Sequence, residues 1–179
     1  MKSLKRLRAD FYGKKSPILL YSVTMYTKNN LSRISKVEPR DIWSLEPDFT
    51  RWLAEKENLD ILSEEIGVDI KLIKTEASVG KFSVDILAEE EMTGRKIIIE
   101  NQLEDANHDH LGKIITYASG YDAEIIIWIV RDLRDEHQKA IDWLNEHTDE
   151  NIGFFLIKIE LWQIKKLSGY IRNFLYKPL

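Results

Sequence analysis

Short apolar runs alternate with amphipathic stretches along this chain, and each predicts a buried strand or a helix. The run 125–130 contains no polar residue, which is typical of a strand covered on both faces in a parallel sheet. The runs 83–87 and 97–102 are rich in β-branched residues and flank the turn-forming segment 90–95, which predicts an antiparallel hairpin. Apolar residues at helical spacing predict a helix over 107–119.

The remaining segments complete an alternating order of helices and strands. A helix, a three-stranded meander, a helix and a strand follow one another, which predicts an α/β fold with three layers, α/β/α, and a mixed central sheet. The other predicted elements are extended segments at 17–27 and 31–38, helices at 46–56, 58–66 and 135–147, and strands at 69–76 and 153–157, with Gly67 and Gly120 ending the helices before them.

A chain of 179 residues can bury one sizeable core. No repeat or linker-like composition divides it. We therefore predict a single domain over 1–179, with an N-terminal extension at 1–45 that holds the extended segments, a core at 46–162 and a C-terminal tail at 163–179.

The predicted hairpin carries two carboxylates that should face each other. A turn centred on 92–93 pairs residues whose numbers sum to 185, so Asp85 lies opposite Glu100 and Ser83 opposite Gln102. Because side chains alternate along a strand, Asp85, Glu100 and Gln102 share one face. Two facing carboxylates repel unless a cation lies between them, and oxygen ligands suit Mg²⁺ or Mn²⁺. The alternative is an exposed hairpin whose carboxylates meet water or lysines.

The predicted helix at 107–119 presents a polar face. His110, Lys113 and Tyr117 are spaced to lie along one side, where they could approach the carboxylates. The alternative interpretation is that Lys113 is an ordinary solvated lysine and Tyr117 an ordinary half-buried tyrosine. The opposite, buried stripe is predicted to consist of Leu111, Ile114, Ile115 and Ala118.

Asp85, the run 100–102 (Glu-Asn-Gln) and the helix from Lys113 to Tyr117 together resemble the PD-(D/E)XK superfamily of restriction-endonuclease-like nucleases. The order of motifs over 31–162 is similar to a bacterial branch of mostly uncharacterised proteins. This resemblance implies a restriction-endonuclease-like core and divalent-metal chemistry on nucleic acid, with DNA as the expected substrate. Superfamily members sometimes add a carboxylate from the first core helix, which implies Glu64 as an extra ligand; Glu76 is a weaker candidate.

Two positions depart from the superfamily pattern. Val84 replaces the proline, which is a mild change, and Gln102 replaces the lysine, which removes a positive charge beside the reacting phosphate. Lys113 occupies a position that is often glutamine, and it could restore that charge.

The resulting hypothesis is a Mg²⁺- or Mn²⁺-dependent phosphodiesterase, an endo- or exonuclease. Asp85 and Glu100 would hold the metal, Gln102 and Lys113 would take part in catalysis, and His110, Lys113 and Tyr117 would contact substrate. The alternative is a catalytically weak nuclease-like module that binds nucleic acid or a protein partner. The sequence also leaves a homodimer open.

The composition constrains the ligands. No cysteine occurs, so the chain forms no disulfide or thiolate site, and a metal must use oxygen or imidazole. His108, Asp109 and His110 could be zinc ligands, although His137 and His147 show no matching spacing.

Charge is distributed unevenly around a net value of −4. Residues 1–15 hold six basic and one acidic side chain, and 156–179 hold five and one, so the centre is acidic. Basic ends suit contacts with phosphate, but they can equally be solvated surface. The short apolar run near the N-terminus lacks the features of a signal sequence or a membrane span, so a cytoplasmic protein is expected.

Overall fold

The computed structural model describes residues 33–166 and 169–178, so the predicted extended segment at 17–27 lies outside the described residues. The strands are β1 (Arg33–Val37), β2 (Ile70–Val79), β3 (Phe82–Glu90), β4 (Lys96–Asp105), β5 (Ile125–Asp132), β6 (Gly153–Lys166) and β7 (Gly169–Pro178). The helices are α1 (Pro39–Ile42), α2 (Glu46–Leu53), α3 (Lys56–Ile66), α4 (His108–Tyr121) and α5 (Asp135–His147). No helix of the described part has the length and apolarity needed to cross a membrane.

All seven strands form one mixed sheet in the order β1-β6-β5-β4-β3-β2, with β7 paired to β6. The strands β4, β5 and β6 are parallel, and the other pairings are antiparallel. One face packs on α2 and α3 and the other on α4 and α5, each with its own cluster of buried side chains. The predicted α/β/α fold with a mixed central sheet is therefore confirmed.

The strand β5 is the centre of this arrangement. Its side chains from Ile125 to Val130 are at most 1% exposed, since they alternate between the two clusters. The prediction of a doubly covered strand in parallel pairing is confirmed, because β5 is parallel to both β4 and β6.

The helix boundaries differ from the predicted ones at α2, α3 and α4. The helix α2 ends at Leu53, three residues before the predicted end at 56. Residue Asn58 does not cap α3, because its side-chain amide donates to the Trp52 carbonyl at 2.7 Å. The helix begins two residues earlier, at Lys56. In α4 the helix runs past Gly120 to Tyr121 and ends at Asp122, which has a left-handed φ of 52°. A Cβ on Gly120 would lie 2.6 Å from Val79 Cγ1, so this glycine permits close contact between α4 and β2.

The buried stripe of α4 also differs by one position. Ile115 is 43% exposed, whereas Tyr117 is buried together with Ile114. The tyrosine ring is large enough to reach the core from the edge of the polar face, and Ile115 points away from the sheet.

The ends of the chain contribute strands. Residues 33–37, assigned to the N-terminal extension, form β1 and pair with the second half of β6. The segment 163–179, predicted to be a C-terminal tail, instead supplies the end of β6 and all of β7. The physical reason is that β6 continues beyond the predicted strand at 153–157, and its residues 157–166 pair with β7.

Candidate functional site: a buried carboxylate pair at the open end of a hairpin

The β3–β4 hairpin has the predicted register. The pairs run from Glu89 with Lys96 to Ile86 with Ile99, and every pair sums to 185. Beyond the Ile86–Ile99 pair, the two strands are joined by hydrogen bonds from backbone amides to side-chain carboxylates. The Asp85 amide donates to Glu100 Oε1 at 3.2 Å, and the Asn101 amide donates to Asp85 Oδ2 at 2.7 Å. Each carboxylate thus accepts a backbone donor from the opposite strand, and the two groups lie side by side.

Burial dominates the electrostatics of this pair. Glu100 is 4% exposed, and its burial, followed by the charge of Asp85, raises its pKa above the ordinary range. Burial also raises the pKa of Asp85, although the hydrogen bond from Asn101 opposes the shift. Two anions are therefore unfavourable here unless a cation compensates them.

The polar face of α4 lies against the pair. Lys113 lowers the pKa of both carboxyl groups, and the pKa of Tyr117 is raised by burial and then by Glu100 and Asp85. These mutual effects place Lys113 and Tyr117 within electrostatic reach of both carboxylates, as the helical spacing predicts.

His110 stands at the N-terminal end of this face. Its backbone amide and its ring Nδ1 both contact Asn107 Oδ1, at 3.0 and 3.2 Å. Burial and then the neighbouring Lys113 lower its pKa, which favours the neutral form of the ring.

Gln102 follows Glu100 on the same face of β4 and is 1% exposed. Its Nε2 donates to the Asp105 carbonyl at 2.6 Å, which fixes the orientation of the amide. The Oε1 atom is buried and has no hydrogen-bond partner among the described residues. An acceptor held in this way suits a water or an ion beside the carboxylates.

Glu76 is a residue that the sequence ranked too low. It lies on β2 at the position opposite Asp85, between the pairs Thr75–Ile86 and Ala77–Val84. Its φ is +49°, a left-handed value that is unusual for a residue with a side chain, and its carboxylate accepts from Ser83 Oγ at 3.3 Å. Its charge further raises the pKa of both paired carboxyls. No hydrophobic pattern signals such a backbone angle.

A second acidic neighbour, Glu46, comes from the first residue of α2. Its Oε1 accepts from the Leu103 amide at 3.2 Å and from Arg40 at 3.5 Å, and its charge also raises the pKa of Asp85. The proline at position 47 and the helix that it begins were the only sequence signals for this placement.

Glu64, the expected extra carboxylate, lies elsewhere. It lines an 820 Å³ cavity with Asp69 and Lys71, beside the first residues of β2. Six residues of strand separate Ile70 from Glu76, which corresponds to roughly 20 Å. The structure therefore does not bring Glu64 to the pair.

Within residues 33–166 and 169–178, no group of three or more His, Asp or Glu side chains is placed to hold a metal. The carboxylate pair supplies two hard oxygen ligands, a set that fits Mg²⁺ or Mn²⁺, which keep several waters when bound. The zinc alternative at His108, Asp109 and His110 does not form such a group among the described residues.

Comparisons with known proteins find similar chains among solved structures. No protein-family model matches the sequence, and no curated protein matches it. Among solved structures, a repair endonuclease from Pyrococcus abyssi is 16% identical with a TM-score of 0.46, and the alignment covers 62% of this chain and 45% of that one. The EndoMS–dsDNA complex is 14% identical with a TM-score of 0.37, covering 59% and 45%. Pyrococcus furiosus SfsA in complex with Ca²⁺ is 19% identical with a TM-score of 0.41, covering 73% and 62%.

All three identities are below 20% and all three TM-scores are below 0.5. The chain spans less than half the length of the first two. No family, activity or residue role is taken from these matches.

Proposed function

We propose that this protein is a divalent-metal-dependent phosphodiesterase that acts on DNA. The observation that carries the proposal is the Asp85–Glu100 pair, in which the Glu100 carboxylate is buried, that of Asp85 is partly buried, and both feel the charge of Lys113. A folded protein retains such an arrangement at a loss of stability, and strongly shifted ionisable groups of this kind are typical of functional sites.

Asp85 and Glu100 would hold Mg²⁺ or Mn²⁺. When bound there, the ion would polarise a phosphate and lower the pKa of a water molecule. The charge of the ion would also favour the ionised form of both carboxyl groups, which burial disfavours.

The remaining side chains position the reactants. Gln102 Oε1 accepts a hydrogen bond from the attacking water and so orients a lone pair of that water toward phosphorus, because the Asp105 carbonyl already fixes the amide. Lys113 offsets the negative charge that develops on the phosphate. His110, which is partly exposed, contacts the DNA backbone, whereas Tyr117, which the sequence predicts to contact substrate, is 4% exposed and lies behind Phe82 at a ring distance of 6.5 Å. Phe82 is 62% exposed and offers a flat apolar surface to a base.

The test is cleavage of plasmid and single-stranded DNA by the purified chain in Mn²⁺, with Asp85→Asn and Glu100→Gln as site variants. Both variants should lose activity. Glu64→Gln is the matched control, because it removes an acidic side chain on α3 far from the pair, and it should cleave like the wild type. Cleavage that resists a chelator, or that survives in both site variants, would refute the proposal.

A second candidate follows from Gln102, which lacks the charge that a lysine would provide. The chain would then be a nuclease-like module that binds nucleic acid or a protein partner without efficient cleavage. Wild-type protein that binds Mn²⁺ through Asp85 and Glu100 yet leaves DNA intact would favour this candidate.

A further inference from the structure

His137 is an unusual residue in the first turn of α5. Its side chain is 3% exposed, and neither ring nitrogen has a hydrogen-bond partner among the described residues. A buried imidazole normally satisfies at least one nitrogen, since an unpaired polar atom costs free energy. The neighbouring Trp128 ring is in edge-to-face contact with His137, and its buried Nε1 also has no hydrogen-bond partner in the described part of the chain.

A second histidine lies directly beside it. The ring of His108, the first residue of α4, is 4.9 Å from the His137 ring centre and tilted by 44°. His108 is exposed, so it connects the buried ring with solvent. Both helices begin where the parallel strands β4 and β5 end, a location where α/β sheets commonly bind ligands.

We propose that His108 and His137 bind a Zn²⁺ ion at a site separate from the carboxylate pair. Two imidazoles that bind one Zn²⁺ at about 2.0–2.1 Å with a tetrahedral angle place their ring centres roughly 5 Å apart, which matches the observed separation. One nitrogen of each ring serves as ligand, and solvent completes the coordination.

The composition and the contacts favour these two rings over the others. The chain has four histidines and no cysteine. The ring of His110 contacts Asn107 Oδ1, and that of His147 contacts the Trp143 carbonyl. Burial lowers the pKa of His137, so its ring is in the neutral form that can bind a metal. Imidazole nitrogen selects zinc over magnesium, which prefers oxygen.

Trp128 provides a hydrogen-bond donor beside the proposed zinc site. Its N–H can only donate, so it cannot bind the ion, but a water bound to zinc would accept from it. The ion would join the first turns of α4 and α5, and α4 carries Lys113 and Tyr117. The inference does not depend on nuclease activity.

The experiment is calorimetric titration of the full chain with Zn²⁺ at pH 7.5, in an Asp85→Asn, Glu100→Gln background that removes the carboxylate pair. We expect one equivalent to bind. His108→Ala should weaken binding at least about tenfold, since it removes one of two protein ligands. His147→Ala and His110→Ala are the matched controls and should bind as the background does. The ring protons of His108 and His137 should shift together in NMR spectra on addition of Zn²⁺.

His137→Phe provides a second test that preserves the buried volume, and it should weaken binding to a similar extent while circular dichroism confirms folding. The proposal is overturned if the background protein binds no Zn²⁺, or if His108→Ala and a folded His137→Phe bind it normally. Loss of binding in His110→Ala with retention in His137→Phe would move the site to the local run 108–110 and would also overturn it.

Discussion

The two ends of the β3–β4 hairpin treat acidic residues in opposite ways. Near the turn, Glu89 forms ion pairs with Lys71 and Lys96, and Glu90 with Arg95 at 2.7 Å. Hydrogen bonds from these partners lower the pKa of both glutamates. At the open end, the facing acids are Asp85 and Glu100, and burial raises the pKa of both.

The difference separates structural from functional carboxylates within one element. An acid matched with a base contributes to the fold, whereas an acid matched with another acid lowers stability until a cation arrives. Both ends carry acidic residues on the same pair of strands, so the partners and the burial distinguish them: basic side chains near the turn, and a second carboxylate with deeper burial at the open end.

The largest expected effect is on activity. Glu100→Gln should reduce DNA cleavage by more than about 10³-fold, because it removes a ligand of an ion that contributes several kcal/mol to catalysis. Glu89→Gln, on the same hairpin, should stay within about twofold, since its partners are surface lysines. Single-turnover rates in Mn²⁺ measure both. Equal losses in the two variants would abolish the distinction between the hairpin ends.

Lys113→Ala should lower kcat by about 10- to 100-fold with a smaller change in affinity, because its charge is needed where negative charge develops in the transition state. Gln102→Lys should be neutral or activating and should partly rescue Lys113→Ala, as expected of two residues that serve one site. Steady-state kinetics of the single and double variants, with DNA binding measured at several salt concentrations, provide the check. A pure loss of salt-dependent binding would assign Lys113 to phosphate contact alone.

The stability of the metal-free protein should respond with opposite signs at the two ends. Asp85→Asn should stabilise it by about 1 kcal/mol at pH 8, because the amide keeps an acceptor for Asn101 and removes one buried charge. Glu90→Gln should destabilise it by about 1–2 kcal/mol, since Arg95 loses a largely buried partner. Urea unfolding in EDTA measures both, and destabilisation in both variants would contradict the comparison.

The pH dependence should also differ in sign. The folded-state pKa values of Asp85 and Glu100 are raised, so their contribution is present below the ordinary carboxyl value of about 4 and is lost as the pH rises through the raised values. Glu90 has a lowered pKa, so its contribution is present above that ordinary value and is lost as the pH falls. The stability gain of Asp85→Asn should therefore grow from pH 4.5 to pH 8, and a gain that shrinks over this range would show that the pair is not buried as described.

The smallest effect concerns the backbone. Glu76→Gly should stabilise the protein by up to about 1 kcal/mol, because glycine adopts a positive φ without strain, and it should reduce cleavage if the carboxylate serves the site. Asp122→Gly is the matched control, with a φ of 52° at the end of α4, and it should stabilise without changing activity. Thermal unfolding and cleavage rates are compared for both. An activity loss shared by the control would point to a general backbone effect.

Local rules account for much of this site. A short turn between two β-branched runs determines the hairpin register, and the register determines which carboxylates face each other. Helical spacing likewise identified the face of α4, although it assigned Ile115 to the core where Tyr117 is buried.

The features that the sequence did not predict depend on tertiary packing, which no local pattern contains. Whether Glu46 or Glu64 approaches the pair depends on how α2 and α3 pack across the sheet, and both residues read alike as glutamates on an amphipathic helix. The left-handed angle at Glu76 arises from the geometry of the pairing between β2 and β3, and the strand β7 depends on the extra length of β6.

The close approach of Gly120 to the Val79 side chain leaves no room for a Cβ on the helix, so residues outside the polar face set the distance between α4 and β2 at this point. A change on the polar face therefore leaves this spacing as it is. Residues at 110 and 113, which are not part of the buried core, can exchange one functional group for another while the helix axis keeps its position, so the charge near the carboxylates can vary without rebuilding the fold around it.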